Sequence, residues 1–465
     1  MNLSLRHQMI KLYELGTGRH FLTRLVELEE TQWLSREKLE ALQQQKLYRL
    51  LDYADKHVPY YQRLFREVGF QPAEVLTNPD AWQKIPFLTK AIIRENFDDL
   101  MTTESERRQG MSQLSTSGST GQPLKFMQDI QFRDNTTAEL HHHLTWAGWQ
   151  LGQPHAYLFG ASFEANYARN LRVQLMNLML NRFVTNAYVL SEEKMHAFAA
   201  QAMRRRPRLL FGYASSLYRF AQFVGDHPEY KLDFVGSVFS TSEVLYPHQR
   251  QLIEGTFNCK VFNRYATREL GALACECPAH TGLHVSVENV YIELLKDGKP
   301  VGLGEPGDIC VTNLNNYGMP FIRYQLADLA VWHSHESCSC GRSHPMLKVA
   351  EGRHNDMFRT RDGRMIWGGI GNPLWQMEGV KKFQFIQKSF DYVVVRIVKE
   401  GPMSQVQRAE VEKAVKFALG EQVQLNFEFP DEIPVERSGK HRYQICEIDQ
   451  QLSQEEKTYQ GLYSG

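Results

Sequence analysis

Alternating apolar and polar positions divide the chain into helical and extended segments. The segment LSREKLEALQQQKLYRLLDYAD (34–55) predicts an amphipathic helix with Ser35 as its N-cap and leucines on one side, at Leu39, Leu42, Leu47, Leu50 and Leu51. Farther along, short apolar runs alternate with helical patterns, in HAYLFGAS (155–162), RLLFGYASSLYRFAQFV (208–224), DFVGSVFSTSEVL (233–245) and CKVFNRYA (259–266). This alternation predicts strands separated by crossover helices, and therefore an α/β fold.

From about residue 285 the pattern becomes richer in strands. Strands joined by Gly, Pro and Asp turns are predicted in HVSVENVYIELL (284–295), GDICVTNL (307–314) and DLAVWH (328–333). A short α+β set follows, with strands predicted in KFQFIQ (382–387), DYVVVRIV (391–398) and VQLNFEF (423–429). The helix between the last two begins after an N-cap at Ser404 and ends at Gly420. We therefore predict a large domain over 1–352 and a small α+β domain over 353–465.

Composition excludes several classes of protein. Hydrophobic residues make up 42% of the 465 residues and charged residues 23%, as in ordinary globular proteins, so disorder is a poor interpretation. The formal net charge is zero, which argues against a dedicated nucleic-acid binder. The sequence has no run of 18 apolar residues and no hydrophobic signal region near its N-terminus. We therefore expect a cytoplasmic protein without a membrane span.

The stretch QLSTSGSTGQPLKF (113–126) is rich in hydroxyls and glycines. Glycine lets a backbone approach a ligand closely, and successive N–H groups can form a concave anion site. A Walker-type loop needs lysine and Ser/Thr after its last glycine, whereas Gln122 and Pro123 follow here. On composition alone, a phosphate cradle and a plain surface loop both stay open.

Four further motifs appear in order along the chain: YATRE (265–269), RYQLAD (323–328), GRHND (352–356) and ERSGKHR (436–442). Together with the Ser/Thr/Gly loop they resemble the signature of the adenylate-forming (AMP-binding) enzymes. The chain is most similar to the phenylacetate–CoA ligase branch and its CapK-like proteins of surface-polysaccharide biosynthesis. The resemblance implies a large domain with mixed sheets and a β-rich subregion, followed by a small mobile lid domain.

The resemblance also implies which residues bind ATP. The phosphates would contact Ser115, Thr116, Ser117, Gly118, Ser119, Thr120 and Gly121. Many family members carry lysine after the last glycine, where this chain has Gln122. Tyr265 resembles the residue beside adenine, and Ser242 and Glu243 resemble the segment that flanks it. A strand end with an N-cap serine is the structural alternative for that segment.

The remaining roles come from the same resemblance. Glu269 matches the Mg²⁺ ligand and Thr267 a residue near the α-phosphate, while Asp328 matches the acceptor of the ribose hydroxyls. In the small domain, Lys440 resembles the adenylation lysine, which bridges the attacking carboxylate and the α-phosphate. Arg353 matches a ribose or phosphate contact and Asp356 the hinge between domains. In isolation, each could be an ordinary surface residue.

Seven cysteines include two Cys-x-Cys pairs, which suggest a metal more than disulfides in a chain without an export signal. Structural Zn²⁺ takes four Cys/His ligands, and we predict Cys277, His284, Cys338 and Cys340. Some members of the phenylacetate–CoA ligase branch carry zinc at the matching place. Cys275 and His280 stay open as alternates, and reduced, buried thiols are the alternative without metal.

The expected activity is activation of a carboxylic acid by ATP and Mg²⁺ as an acyl-adenylate, followed by transfer to CoA. One alternative is an amide ligase that transfers the acyl group to an amine, such as an amino acid or amino sugar, in surface-polysaccharide biosynthesis. Another is a non-catalytic nucleotide-binding protein. The acid is not readable, although aromatic residues could line an aryl pocket or simply form core, at Trp146, Tyr157, Phe159 and Phe211. A homodimer stays open.

Overall fold

The structure, a computed structural model, divides the chain into two compact units. The first comprises residues 1–326 and 330–348, and the second comprises 327–329 and 349–465. This division lies close to the predicted domain boundary. The structure describes residues 3–116, 124–159, 171–187, 190–334, 337–353, 358–361, 365–366, 370–371, 373–374, 377–434 and 442–448.

Helices dominate the first quarter of the chain and then alternate with strands. The described α-helices are α1 (Leu3–Thr17), α2 (Phe21–Thr31), α3 (Arg36–His57), α4 (Pro59–Glu67), α5 (Lys90–Glu95), α6 (Ser105–Gln109), α7 (Ile130–Trp146), α8 (Leu171–Met179), α9 (Glu192–Arg205), α10 (Ala214–Asp226), α11 (Pro247–Phe257) and α12 (Gln405–Leu419). Two 3₁₀ turns lie at Pro72–Leu76 and Pro79–Lys84. None of the described helices is long and apolar enough to cross a membrane.

Strands of the first unit begin with a hairpin and continue into one large sheet. They are β1 (Ser112–Ser115), β2 (Lys125–Gln128), β3 (His155–Phe159), β4 (Arg182–Asn186), β5 (Leu209–Tyr213), β6 (Ser237–Thr241), β7 (Lys260–Thr267), β8 (Gly271–Glu276), β9 (Leu283–Val285), β10 (Val290–Lys296), β11 (Lys299–Pro300), β12 (Pro306–Asn313), β13 (Tyr324–Ser334) and β14 (Met346–Arg353). The last two run to or across the division between the units.

The large sheet has the strand order β11-β10-β12-β13-β14-β9-β8-β7-β6-β5-β3-β4. Strands β4, β3, β5, β6 and β7 run parallel to one another, and their connections contain helices α8 to α11. Strands β7, β8 and β9 then pair antiparallel, as do β10 and β12. The predicted α/β fold with mixed strand pairing is therefore confirmed.

An aromatic ladder crosses the parallel strands in register. Tyr157 pairs with Phe211, Phe211 with Phe239, and Phe239 with Phe262. The ring centroids of Tyr157 and Phe211 lie 4.5 Å apart, and the rings stack. All four side chains are buried in one core cluster, which Trp146 also joins. The proposed aryl-pocket residues Tyr157, Phe211 and Trp146 therefore belong to the packed core.

The other face of the same strands is also apolar. Ala156, Leu210, Val238 and Val261 follow one another in register and are fully buried. They pack in a cluster with side chains of α9 and α10, such as Phe198 and Phe220. A parallel sheet covered on both faces explains why these strands read as continuous apolar runs.

The second unit contains a small α+β layer. Its strands are β15 (Phe358–Arg359), β16 (Met365–Ile366), β17 (Val380–Ser389), β18 (Tyr392–Lys399), β19 (Gln424–Glu428) and β20 (Gln444–Cys446). The last four form a sheet of order β19-β18-β17-β20. Helix α12 buries Val411, Val415 and Leu419 in the same cluster as the sheet residues Phe383, Phe385, Val393, Val395 and Ile397.

Two helices begin at the N-caps that the sequence predicts, whereas one segment predicted as a single strand forms two strands. Ser35 caps α3 by accepting from the backbone N–H of Lys38, and Ser404 caps α12 in the same way. The segment 284–295, predicted as one strand, is two strands, β9 and β10. A turn separates them, in which Asn289 donates its backbone N–H to the carbonyl oxygen of Ser286. That prediction was wrong because only the polar pair Glu288–Asn289 interrupts two apolar stretches that each alternate like a strand.

Three consecutive histidines of α7 lie inside the large unit. His141, His142 and His143 are all buried. The Nδ1 atom of His141 lies 2.7 Å from the carbonyl oxygen of Thr137, and the indole N–H of Trp146 donates to Nε2 of His142. Burial lowers the pKa of His141 to about 4. Each ring is therefore neutral at neutral pH, and protonating it in place costs stability.

Replacing His141 by Asn should flatten the acid dependence of stability. Its folded-state pKa of about 4 lies below the ordinary value of 6.5, so the unfolded chain takes up a proton first. The free energy of unfolding therefore falls by about 1.4 kcal/mol per pH unit for this group as the pH drops from about 6.5 to 4. Urea unfolding at about pH 6.5, 5.5 and 4.5 measures the slope.

The exposed His7 provides the matched control, since His7→Asn should keep the wild-type slope. Burial raises the pKa of Glu139 to about 7, which acts in the opposite direction. That residue is common to all three proteins, so their difference isolates His141. A slope in His141→Asn equal to that of the wild type would contradict the buried neutral histidine.

Candidate functional site

The carboxyl ends of three neighbouring parallel strands form one edge of the large sheet. Thr241 at the end of β6 is the register partner of Arg264 in β7, so Ser242 follows beside Tyr265. A carboxylate oxygen of Glu243 accepts from the backbone N–H of Ser215 at 2.8 Å, in the first turn of α10 that follows β5. In open α/β sheets, ligands bind at this edge. The structure thus places Ser242, Glu243 and Tyr265 together.

Ser242 has an unusual backbone. Its φ is +66°, in the left-handed region that few residues other than glycine adopt. The strained residue turns the chain sharply between β6 and Glu243. Such conformations cost of order 1–3 kcal/mol and cluster at functional sites. The motif residue Ser242 is therefore held in place by the fold.

The turn after β7 carries Glu269, the proposed Mg²⁺ ligand. Thr267 pairs with Gly271 across the turn between β7 and β8, and its hydroxyl accepts from the backbone N–H of Leu270 at 3.1 Å. Glu269 lies in this turn and is half-buried. A carboxylate that is partly accessible on a turn closed by hydrogen bonds suits a hard dication, which prefers oxygen ligands and retains waters.

The hairpin β1–β2 connects the Ser/Thr/Gly loop to this turn. The backbone N–H of Thr116 donates to the carbonyl oxygen of Leu124 at 2.9 Å, which closes the described end of the hairpin. At the other end, the side-chain amide of Gln128 donates to the carbonyl oxygen of Arg268 at 2.9 Å. The hairpin that carries the loop motif and the Glu269 turn are thereby held in one region, although they are far apart in sequence.

The other predicted residues of the nucleotide site belong to the second unit or lie outside the residues that the structure describes. Asp328 lies in β13 and is half-buried, and it belongs to the second unit. Arg353 is the last residue of β14. The remaining predicted residues, Ser117, Gly118, Ser119, Thr120, Gly121, Asp356 and Lys440, lie outside the described residues. Their roles stay predictions.

Three thiols and one imidazole converge beside the antiparallel part of the sheet. Cys277 follows β8, His284 lies in β9, and Cys338 and Cys340 lie between β13 and β14. One ligand atom of each lies within 4.8 Å of the others. Sγ of Cys277 is 3.6 Å from Sγ of Cys338, and Sγ of Cys340 is 3.4 Å from Nε2 of His284.

These distances fit a tetrahedral ion. With Zn–S bonds of about 2.3 Å and Zn–N bonds of about 2.0 Å, tetrahedral geometry separates two sulfurs by about 3.8 Å and a sulfur and a nitrogen by about 3.5 Å. Thiolate and imidazole donors also suit zinc chemically. The two alternates point elsewhere, since the Cys275 thiol donates to the Glu276 carbonyl oxygen and His280 contacts the Glu276 carboxylate.

Electrostatics shift the pKa values of two thiols in the cluster in opposite directions. Burial raises the pKa of the Cys277 thiol to about 12. Burial also acts to raise the pKa of Cys338, but hydrogen bonds from Cys340, Cys277 and Thr281 outweigh it and lower that pKa. A cation in the middle would favour deprotonation of every thiol. The residues present therefore fit a metal-binding site.

Groups around the cluster orient its imidazole. Nδ1 of His284 lies 3.4 Å from the carbonyl oxygen of His344, which leaves Nε2 facing Cys340. Nε2 of His344 in turn lies 3.3 Å from the buried carboxylate of Glu288. Burial alone would raise the pKa of Glu288, but His344 and further hydrogen bonds outweigh it and lower the pKa to about 2. Such outer groups fix ligand orientation in metal sites.

Sequence reasoning missed two supporting residues. Gln128 directly follows the loop strand, but nothing local shows that its amide reaches Arg268. His344 lies four residues after Cys340 in CSCGRSH, a spacing that resembles a further ligand. The structure gives it a supporting position instead, because its ring faces Glu288.

A large α/β unit with these motifs at its strand ends, followed by a small α+β unit, defines the adenylate-forming ligase fold. The crystal structure of a 2-hydroxyisobutyryl-CoA ligase in its postadenylation state, in complex with R3-HIB-AMP, shares this fold. The TM-score is 0.72 at 20% identity, covering 92% of this chain and 94% of the other.

Sequence comparisons place the chain more narrowly. The CapK C-terminal domain family matches residues 358–447. Protein CapK of Staphylococcus aureus is 23% identical, covering 88% of this chain and 89% of CapK. A phenylacetate–coenzyme A ligase of Thermus thermophilus is 26% identical, covering 71% of this chain and 74% of the ligase. These similarities extend over most of the chain and confirm the resemblance to CapK-like proteins and to the phenylacetate–CoA ligase branch of the AMP-binding enzymes that the motifs indicate.

Proposed function

We propose that the protein uses ATP and Mg²⁺ to convert a carboxylic acid into its acyl-adenylate and then transfers the acyl group to CoA. Its homologues support the class of ATP-dependent ligase. The observation that carries the proposal is the hydrogen bond between Gln128 and Arg268, which holds the Ser/Thr/Gly hairpin beside the turn of Glu269. A phosphate cradle and a metal-binding carboxylate in one region are what attack on a nucleotide phosphate requires.

The chemistry explains this arrangement. A carboxylate is anionic and has no good leaving group, so it must attack the α-phosphorus of ATP against charge repulsion. N–H and hydroxyl donors of the loop would hold the polyphosphate, and Mg²⁺ held by Glu269 would neutralise part of its charge. Lys440 would bridge the incoming carboxylate and the α-phosphate. Pyrophosphate leaves, and AMP becomes the leaving group for the second step.

The remaining residues would bind the nucleoside. Tyr265 and the Ser242–Glu243 segment lie at the ends of β7 and β6, where an adenine ring could lie against the strand ends. Asp328 would accept both ribose hydroxyls, because vicinal hydroxyls suit one bidentate carboxylate. Arg353 would contact the ribose or a phosphate, and Asp356 would serve as the hinge of the small domain.

The cysteine cluster would hold a structural Zn²⁺ through Cys277, His284, Cys338 and Cys340. All four positions of a tetrahedral ion are then filled by the protein, so no position is left for a substrate. The ion would tie the β8–β9 connection to the segment between β13 and β14. This role concerns stability rather than the adenylation step.

ATP–pyrophosphate exchange against a panel of acids tests the proposed first step. The assay contains Mg²⁺ but neither CoA nor an amine, and the panel spans aryl acids, short fatty acids, amino acids and sugar acids. We expect exchange that depends on one class of acid and on Mg²⁺. Exchange with no acid of the panel, in a protein that is shown to bind ATP, would favour a non-catalytic nucleotide-binding protein.

The acceptor is tested once the acid is known. Adding CoA should release free acyl-CoA and AMP in equal amounts. If AMP release instead requires an amine and yields an amide, the protein is an amide ligase, and the CoA-transfer part of the proposal fails while adenylation stands.

A further inference from the structure

Two imidazoles and one carboxylate converge between α9 and α10, and none of them is among the residues of the proposed function. Glu192 and His196 lie one turn apart on α9, and His227 directly follows the C-terminal end of α10. One ligand atom of each residue lies within 4.8 Å of the other two. Glu192 is exposed and both histidines are half-buried, so an ion from solvent can reach the group.

Both imidazoles are held through their Nδ1 atoms. Nδ1 of His227 lies 2.8 Å from the carbonyl oxygen of Phe223. A carbonyl only accepts, so Nδ1 carries the proton and Nε2 carries the lone pair. Nδ1 of His196 lies 2.8 Å from the hydroxyl of Tyr230, which can accept in the same way. Metal-binding histidines usually have this arrangement, with one nitrogen fixed by a hydrogen bond and the other on the ion.

Aromatic contacts fix the two rings further. The His227 ring stacks on Phe223 with centroids 4.1 Å apart, and the His196 ring meets Phe223 edge-on at 4.8 Å. The two imidazole centroids are themselves 4.8 Å apart, with the rings nearly perpendicular. Two nitrogen donors are therefore held close together before any ion binds, and this lowers the entropic cost of binding one.

We propose that Glu192, His196 and His227 form a binding site for a borderline divalent metal ion, such as Zn²⁺. Imidazole donors suit Zn²⁺, Ni²⁺ and Cu²⁺, whereas Mg²⁺ and Ca²⁺ prefer oxygen ligands only. Bonds of about 2.0–2.2 Å need donors about 3.4 Å apart. The ligand atoms lie within 4.8 Å of one another, so the exposed Glu192 side chain rotates to bring its carboxylate closer to the imidazoles. Water completes the coordination shell of the ion. The ion links the start of α9 to the end of α10.

This site differs from the cysteine cluster in its donors. Three protein ligands without sulfur bind zinc more weakly and exchange it faster than a closed Cys₃His set. We therefore expect a second zinc that dialysis against a weak chelator removes, while the first stays bound. Neither the adenylation residues nor the cysteines take part in this site.

Zinc titration of the untagged full-length protein tests the site. A competing fluorescent chelator measures affinity after dialysis has left only the tightly held ion. We expect one additional zinc per chain in the wild type, a more than tenfold loss of affinity in His196→Gln and in His227→Gln, and an effect of Glu192→Gln in the same direction. Tyr230→Phe removes only the orienting hydroxyl and should weaken binding by about 10–100-fold.

Two controls complete the test. The exposed His7→Gln should leave the titration unchanged, and so should Cys259→Ser, which removes a thiol outside both groups of ligands. Circular dichroism without added zinc checks that each variant is folded. A titration of His196→Gln and His227→Gln that superimposes on the wild type would overturn the site, as would a wild type that takes up no second ion.

Discussion

Lys440→Ala should reduce acid-dependent ATP–pyrophosphate exchange by on the order of 10²–10³-fold, while the variant still binds ATP. In the proposed mechanism, the lysine would stabilise the negative charge that develops between the carboxylate and the α-phosphate. This interaction would be strongest in the transition state. Removing one such preorganised group typically has an effect of this size. ATP affinity should change little, because the loop, Tyr265 and Asp328 would supply most of the contacts. The readouts are exchange rate and equilibrium binding of ATP.

Lys413 provides the matched control. It is an exposed lysine on α12 of the same unit, so Lys413→Ala removes the same side chain away from the proposed chemistry and should keep wild-type exchange. Undiminished exchange in Lys440→Ala would refute the role of this lysine and leave the adenylation proposal itself intact. A joint loss of exchange and of ATP binding would mean that Lys440 holds the nucleotide rather than the transition state.

The second large effect is expected on the melting temperature when the cysteine cluster loses its zinc. We expect one tightly held zinc per chain by elemental analysis, and Cys338→Ser should lose it. The melting temperature should fall by at least about 5 °C, since loss of a bound metal is among the mechanisms that give the largest destabilisations. Chelation of the wild type with 1,10-phenanthroline should lower the melting temperature in the same way. Differential scanning calorimetry measures both effects.

Cys259→Ser serves as the control for the cluster. This thiol lies just before β7, outside the four ligands, and its variant should retain zinc. Wild-type protein that holds no zinc after expression in zinc-supplemented medium, with an unchanged melting temperature in Cys338→Ser, would instead support reduced and merely buried thiols.

Local features were predictable because their causes lie within a few residues. Ser35 and Ser404 cap their helices through backbone groups three residues away. Gly420 ends α12 with φ at +116°, a conformation that glycine adopts readily. The apolar runs of β3, β5, β6 and β7 were readable since both faces of those strands are covered. The order of the five motifs likewise needed no tertiary information.

The break between β9 and β10 was not predictable in this way. Val285 and Val287 alternate with polar residues on one side of the turn, and Val290 and Ile292 do so on the other side. The turn between them places the carboxylate of Glu288 next to His344. The hydroxyl of Thr31 also donates to this carboxylate at 2.8 Å, from a helix far away in sequence. A buried carboxylate needs such partners, and no local pattern shows where they come from.

Residue types, motif order and the presence of four zinc-type donors were thus determined by the sequence alone. The tertiary structure favours the predicted Cys277 and His284 over the alternates Cys275 and His280, because it brings Cys277 to Cys338 across 61 positions of the chain. It alone joined Gln128 to Arg268 across 140 positions, and α9 to α10 at Glu192, His196 and His227. The physical reason is that contacts between distant segments depend on how strands and helices pack, which local periodicity does not encode.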